Sequence, residues 1–291
     1  MERPVVSVIV RTIGRATLAR SIACALAQTW RPLEIVVVRA GGDTLPAFSR
    51  SPEAALRIVE GGSLTRPQAA NVGIGAADGD WLMFLDDDDE IDSTHVETLM
   101  DAVLDSEGAL VSYSATACVD ASGRVDGVIS QPFDRQKLFA QNYIQLGAAL
   151  FSRTLVAEGY RFDESFESLQ DWDFWIQLAN RTHFAFTGQA TNRWSMTSGD
   201  SGAGGAPNYD PESLSRFKAK LARKWAQWIR SLERRVQHHQ RASRAAMAQG
   251  NVAQARAHLD AADRVLRGPV PRVRARPPGR PVAIPKAATA G

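Results

Sequence analysis

Trp81-Leu82-Met83-Phe84-Leu85-Asp86-Asp87-Asp88-Asp89-Glu90 joins a five-residue apolar run to five consecutive carboxylates. No polar residue interrupts the run, so it reads as a strand buried on both faces. The carboxylates emerge at its carboxyl end. In open α/β sheets, ligands bind just outside that edge. Like charges at this density repel one another, and a hard cation ligated through oxygen, its shell completed by phosphates, offsets the repulsion. A solvated acidic turn has the same composition, with Asp92 or Ser93 as the N-cap of a helix from Thr94 onward. The flanking segments weigh against that plain reading.

Upstream, Val5–Val10 and Leu33–Val38 are β-branched runs typical of buried strands, and Leu56–Val59 is a shorter one. Helical spacing over Thr17–Gln28 and a helix over Pro67–Ala77 separate the strands. This alternation predicts right-handed βαβ crossovers and a mostly parallel sheet. Downstream, Ser93–Leu104 is predicted helical. Leu110–Val119 and Val125–Ile129 are predicted antiparallel strands around a turn-forming Asp120-Ala121-Ser122-Gly123. Gly147–Ser152 is a further strand, and Asp171–Asn180 an amphipathic helix. Phe184–Phe186 and Thr191–Trp194 are short edge strands. Thr197–Pro207, rich in Gly and Ser, reads as a mobile loop.

The 291 residues suffice for one sizeable core and an appendage. The net charge of +2 conceals an asymmetry: residues 212–291 hold 18 Lys/Arg against 4 Asp/Glu, and residues 1–211 hold 16 against 28. An acidic body therefore carries a basic tail. Within the tail, Leu214, Phe217, Leu221, Trp225, Trp228, Leu232 and Val236 recur at spacings of three and four, which predicts an amphipathic helix over 212–236. Ala242–Gln249 and Val252–Leu266 read as a helical hairpin about Gly250-Asn251, and 268–291 as a disordered Pro/Arg-rich segment. Cys24 and Cys118 form no disulfide framework and have no metal-site spacing. No basic and apolar leader precedes the first strand, and no apolar run reaches the ~18 residues of a membrane span. A cytoplasmic protein, free or peripheral at the inner membrane face, is expected.

Several segments together resemble the family 2 glycosyltransferases. Val6-Ser7-Val8-Ile9-Val10-Arg11-Thr12 is similar to the family's opening strand, and Gln28-Thr29-Trp30 with Leu33–Val38 to its second element. Arg66, Ala70-Asn71-Val72-Gly73, Ala76 and Gly79-Asp80-Trp81 resemble the helix and strand before its DXD position, which falls on Asp86-Asp87-Asp88. Phe162-Asp163-Glu164 and Asp171-Trp172-Asp173-Phe174-Trp175 resemble its acceptor-side segment. The resemblance covers roughly residues 4–195 and stops before the C-terminal helices.

The resemblance implies a GT-A fold, a Rossmann-type mostly parallel sheet flanked by helices, over 1–211. The extension 212–267 and the tail 268–291 lie outside it. It also implies inverting transfer of a sugar from a nucleotide diphosphate sugar to a hydroxyl, assisted by Mn²⁺ or Mg²⁺. A leaving diphosphate carries charge that a divalent cation stabilises as the glycosidic bond breaks. Asp86 is read as facing the ribose, Asp88 as the metal ligand, Asp87 as a further donor-site carboxylate and Asp89 as supporting them. Asp171, at the family's base position, would take the acceptor proton. Trp172 beside it would raise its pKa and wall the acceptor, with Gln170 orienting it. Asp173 and the two histidines His95 and His183 are read as structural.

Arg11 and Thr12, at the carboxyl end of the first strand, and Arg66, at a helix start favourable to phosphate, are donor-site candidates; packing roles account for them equally well. Where the family continues its second strand with two aspartates, this chain has Arg39-Ala40-Gly41-Gly42-Asp43. Asp43 and Arg39 are the remaining candidates for the base contact. Arg193, before the glycine-rich loop, is a candidate to close over the diphosphate. The acceptor expected from family habit is a surface polysaccharide, a glycolipid or a protein glycan. A non-catalytic GT-A scaffold is the rival reading, favoured by Arg39-Ala40 and Gln170. For the basic tail, packing on the body or on a second subunit competes with peripheral membrane contact through 212–236. No nucleic-acid motif is present.

Overall fold

The computed structural model describes residues 3–196 and 211–267, apart from Asp43, Glu53 and Ala121. The expected loop at Thr197–Pro207, the tail at 268–291 and Asp43 lie outside the described residues. Strands β1 (Val6–Thr12), β2 (Leu33–Arg39), β3 (Ala55–Glu60) and β4 (Trp81–Asp86) pair in parallel in the order β3-β2-β1-β4. Helices α1 (Leu18–Leu26) and α2 (Arg66–Ala76) connect them. The strands are apolar throughout because both faces are covered. Val8 and Val10 of β1, Ile35 and Val37 of β2, and Met83 and Leu85 of β4 pack under α1 and the later helix α3 (His95–Leu104). The alternate residues Ile9, Val36, Val38, Leu82 and Phe84 face α2 and a larger aromatic core. Gly73 lets α2 approach β1 closely, since a Cβ there would lie 2.3 Å from the Ile9 side chain.

The sheet continues past β4 as β8 (Ala149–Ser152), β6 (Val111–Val119), β9 (Phe184–Ser195) and the two-residue β5 (Glu90–Ile91), with β7 (Val125–Ile129) on β6. β8 is antiparallel to both β4 and β6, and β9 runs parallel to β6 and antiparallel to β5. The parallel sheet expected from sequence is thus the amino-terminal half of a mixed one. The two short edge strands expected near 184–194 are one bulged strand lying inside the sheet, kept continuous through Gly188 at φ 73°. Two short helices escaped the sequence reading, α4 (Arg135–Ala140) and α5 (Arg153–Ala157). Each follows a polar N-cap, Asp134 and Ser152, whose side chain accepts a backbone N–H of the first turn.

Helix α6 (Gln170–Ala179) is the hub of the aromatic core: Phe174 stacks on Phe162 at 4.2 Å between centroids. The C-terminal extension packs on it. The segment predicted as a helix over 212–236 plus part of a hairpin is one continuous helix, α7 (Pro211–Ala248). No Gly or Pro interrupts 212–249, so the helix runs on until Gly250, at φ 73°, stops it. Asn251 then caps α8 (Val252–Arg267), which folds back on α7. Leu221 joins the main core, with Phe217 and Trp225 against it, and Trp228 packs on Phe139 at 4.6 Å. The apolar stripe, with its tryptophans, therefore faces the body.

Two buried polar knots fasten this extension. Asp173 of α6, fully buried, accepts from Trp225 Nε1 at 2.9 Å, Lys224 Nζ at 2.8 Å and Gln177 Nε2 at 2.8 Å. The Arg135 guanidinium, 1% exposed, donates to the carbonyls of Ala179, Thr182 and Val265. Ala179 and Val265 end α6 and α8, where carbonyl dipoles favour a cation. Burial lowers the Arg135 pKa to about 10, with Arg235 contributing, and the group stays charged at neutral pH. Removing one partner of such a knot strands the others. Asp173→Ala is expected to destabilise the protein by about 3 kcal/mol, because Lys224 and Trp225 lose a buried acceptor. Urea unfolding followed by tryptophan fluorescence measures the change.

Candidate active site

Strand order sets the location. From β1 the chain moves outward to β2 and β3, then returns to place β4 on the other side of β1. The crevice beyond the carboxyl ends of β1 and β4 is therefore a topological switch point. Parallel register puts Arg11 directly opposite Asp86 there. Asp86 lies half exposed at the rim of that crevice.

The aspartates part company after β4. Arg11 donates to Asp86 through Nε at 3.1 Å and through Nη2, and also reaches the Arg66 carbonyl. The guanidinium is buried over the Phe84 ring. Asp87 turns inward, 2% exposed, and accepts from Thr12 Oγ1 at 2.6 Å and Arg15 Nη1 at 2.6 Å. Arg15 also lies 3.4 Å from Asp88 Oδ2. Asp89 is buried and accepts the Ser195 N–H at 3.0 Å, tying β9 to the turn. Burial pushes the Asp89 carboxyl well above the usual carboxylate range, and the charges of Asp86 and Asp88 push it the same way.

Three residues read from sequence as donor contacts thus have internal partners. Arg11 is committed to Asp86. Thr12, 3% exposed, donates to Asp87 and accepts the Gly14 N–H. Asp87 itself faces the interior. These residues shape the acidic turn from beneath, because parallel register and strand alternation aim them into the sheet. Arg15 is the counter-charge that the sequence reading passed over. Its only signal was a cation one turn past β1, beside Gly14 at φ 89°.

Across the crevice, Asp171 occupies the first turn of α6, half-buried, and accepts from Asn142 Nδ2 at 3.0 Å. Burial raises its pKa, opposed by the Trp172 amide, by Asn142 and by the charge of Arg11; Asp86 adds to the rise. Arg66 stands in the same field. Burial lowers its pKa, while Asp86 and Asp171 raise it and Arg11 and Arg15 lower it. The acidic turn, Arg66 and Asp171 therefore share one electrostatic neighbourhood, although 85 residues separate Asp86 from Asp171 in sequence.

Leu169, immediately before α6, sits at φ 60° and ψ 23°, the single non-glycine positive φ among the described residues. A left-handed leucine stores of order 1–3 kcal/mol, and such strain clusters at functional sites. Next to it Gln170 is buried, and its Oε1 has no hydrogen-bond partner among the described residues. Trp172 departs from expectation. Its indole is 6% exposed and donates to the Leu138 carbonyl, so it belongs to the core and forms no acceptor wall. Arg193 is exposed on β9, opposite Glu90, and pairs with Asp92 at 3.2 Å. Arg39 is paired with Glu60. Among the described residues no three His, Cys, Asp or Glu side chains converge to hold a metal ion. A cation there would need oxygens from a ligand as well as from the protein.

Residues 7–147 match the family model described as glycosyl transferase family 2. The chain is 25% identical over 183 residues to the uncharacterized glycosyltransferase YwdF of Bacillus subtilis (strain 168), covering 60% of this chain and 68% of that one. The crystal structure of S. aureus TarS 1-349 in complex with UDP-GlcNAc superposes with a TM-score of 0.55 at 17% identity, over 75% of this chain and 65% of TarS 1-349. The complex of the same protein with UDP gives 0.51 at 18% identity, over 74% and 63%. The chain spans less than two thirds of these TarS chains, and the likeness to them is one of fold. The architecture is that of a GT-A-like glycosyltransferase, a mixed α/β sheet flanked by helices. Within that class, the part of the chain that matches a family model, residues 7–147, is similar to glycosyl transferase family 2.

His95, fully buried at the start of α3, holds the rear of the site. Its Nδ1 lies 2.7 Å from Thr191 Oγ1 and its Nε2 3.1 Å from the Gly147 carbonyl. A carbonyl only accepts, so Nε2 carries the proton and Nδ1 accepts from threonine. Burial lowers the His95 pKa from 6.5 to about 4. The unfolded chain binds the proton more readily, so stability is full above pH 6.5 and falls as pH drops toward 4. The stability difference between wild type and His95→Asn should narrow by about 3 kcal/mol across that window. Denaturant titrations at pH 7 and pH 4 read it directly.

Proposed function

We propose that this glycosyltransferase moves a sugar from a nucleotide diphosphate sugar to a hydroxyl of a glycan or glycolipid, inverting the anomeric carbon. Asp171 is the general base. The observation that carries the reading is the electrostatic grouping of Arg66, the Asp86–Asp88 turn and Asp171 at the switch point of the sheet. The named TarS complexes, one with UDP-GlcNAc and one with UDP, support a donor of this class.

In this mechanism the donor lies across the carboxyl ends of β1 and β4. Asp86, fixed by Arg11, faces the ribose, and Arg66 sets its positive charge against the diphosphate. Asp88 is the carboxylate that would hold Mn²⁺ or Mg²⁺ beside a bound donor. When bound, the cation stabilises the charge that develops on the leaving diphosphate. Asp171 accepts the proton of the acceptor hydroxyl as its oxygen bonds to the anomeric carbon and the bond to the phosphate oxygen breaks. The nucleoside diphosphate leaves. Gln170 Oε1, without a partner among the described residues, accepts from a second acceptor hydroxyl. Gln170 is neutral and puts no second negative charge beside the base.

Asp171→Asn removes the proton acceptor with little change of shape. It is expected to lower kcat by about 10²- to 10⁴-fold while donor binding is retained. Transfer activity persisting at the wild-type level would refute the assignment. Asn142→Ala removes a hydrogen bond to the charged form of Asp171, which raises the pKa further. The acid limb of the kcat/KM profile should then move to higher pH, with the alkaline limb unchanged.

A further inference from the structure

The outer face of α7 carries a row of arginines that neither the fold nor the transfer reaction uses. At 3.6 residues per turn, Arg216, Arg223, Arg230, Arg234 and Arg241 fall within roughly 40° of one another. They run for about 37 Å along the helix. All five are exposed. The buried positions Leu221, Leu232, Val236 and Ser243 lie on the opposite side, against the body and α8. The ridge is therefore the outermost surface of the extension.

Few carboxylates lie near it in sequence, Glu212 preceding the row by one turn. Glu233 is the single carboxylate in the sequence from 216 to 241. Arg216 donates to Ser213 Oγ, and Arg234 to the Arg230 carbonyl. Among the described residues, none of the five forms a salt bridge. Beside the ridge, Ser231, Arg234, Arg235, His238 and His239 line an open hollow of about 270 Å³. Its lining offers donors and positive charge, the chemistry that receives a phosphate group. The helical hairpin ends in two exposed apolar side chains, Met247 and Val252.

We propose that this ridge docks the enzyme on an anionic lipid surface. A straight convex row of guanidiniums matches a plane of phosphates. A single-stranded nucleic acid would call for a groove with aromatic platforms, and the ridge has neither. The acidic body, 16 Lys/Arg against 28 Asp/Glu over residues 1–211, is repelled by the same surface and so turns the ridge toward it. The inward-facing tryptophans take no part in this docking.

The test is co-sedimentation of the full chain with vesicles of phosphatidylcholine alone or with 30% phosphatidylglycerol (an amount on the order of that in charged membranes). Binding is expected only with the anionic lipid. It should fall at least ~10-fold from 0.1 to 0.5 M salt, because exposed charges are screened. The triple variant R223Q/R230Q/R234Q should lose about 10-fold or more in partitioning. A variant with the same charge change off the ridge, R124Q/R256Q/R264Q, should lose less than about 3-fold. Far-UV circular dichroism checks folding, and the single variants R223Q and R234Q, each with a smaller loss, give the same answer if the triple variant unfolds. Equal loss in both triple variants, absence of binding to anionic vesicles, or binding to soluble polyphosphate alone would overturn the proposal.

Discussion

Five consecutive carboxylates at the end of a buried strand are tolerable only if something holds them apart and neutralises them. The surrounding structure is arranged to do so. Parallel register sets Arg11 against Asp86, and Arg15 and the Thr12 hydroxyl hold Asp87. The Ser195 amide receives Asp89, and Arg20 pairs with Glu90 at 3.1 Å. The supports come from four elements: β1, the loop after it, α1 and β9. The acidic turn is thus where the parallel half of the sheet and its mixed half are joined. Asp86 and Asp88 remain at the rim, and the buried carboxylates fix their direction.

The base side depends on a second constraint. α6 must present Asp171 at its first turn while burying the rest of the helix. Leu169 in the left-handed region sets the entry angle, and Asp173 anchors the turn to α7. The C-terminal extension, outside the part of the chain that matches the family model, therefore bears on α6 from behind. A two-residue separation on one helix leaves Asp171, the proposed base, half-buried and puts the anchor Asp173 in the interior. The strain at Leu169 persists because the core on one side and the Lys224–Trp225 knot on the other leave the helix no alternative placement.

Much of this was legible in the sequence. The apolar runs of β1, β2 and β4 announce strands covered on both faces, and their alternation with helices announces parallel crossovers. Asp86, Asp88 and Asp171 stand out by chemistry and context. The internal partners did not. Whether Thr12, Arg11 and Asp87 face a ligand or one another depends on register between β1 and β4, which no local pattern encodes. Trp172 looked like an acceptor wall because it adjoins Asp171, yet on a helix adjacent residues point about 100° apart, and the core claims the indole. The end of the apolar stripe at Val236 suggested the end of a helix. Small residues further on, Ser243 and Ala246, continue the buried face against α8.

The central claim is that the acidic turn binds a nucleoside diphosphate through a cation held at Asp88. Calorimetric titration of UDP into wild type and Asp88→Ala, with and without Mn²⁺, tests it most directly. The account predicts binding that requires Mn²⁺ in the wild type and is lost in the variant. Binding that is indifferent both to Mn²⁺ and to Asp88 would contradict it.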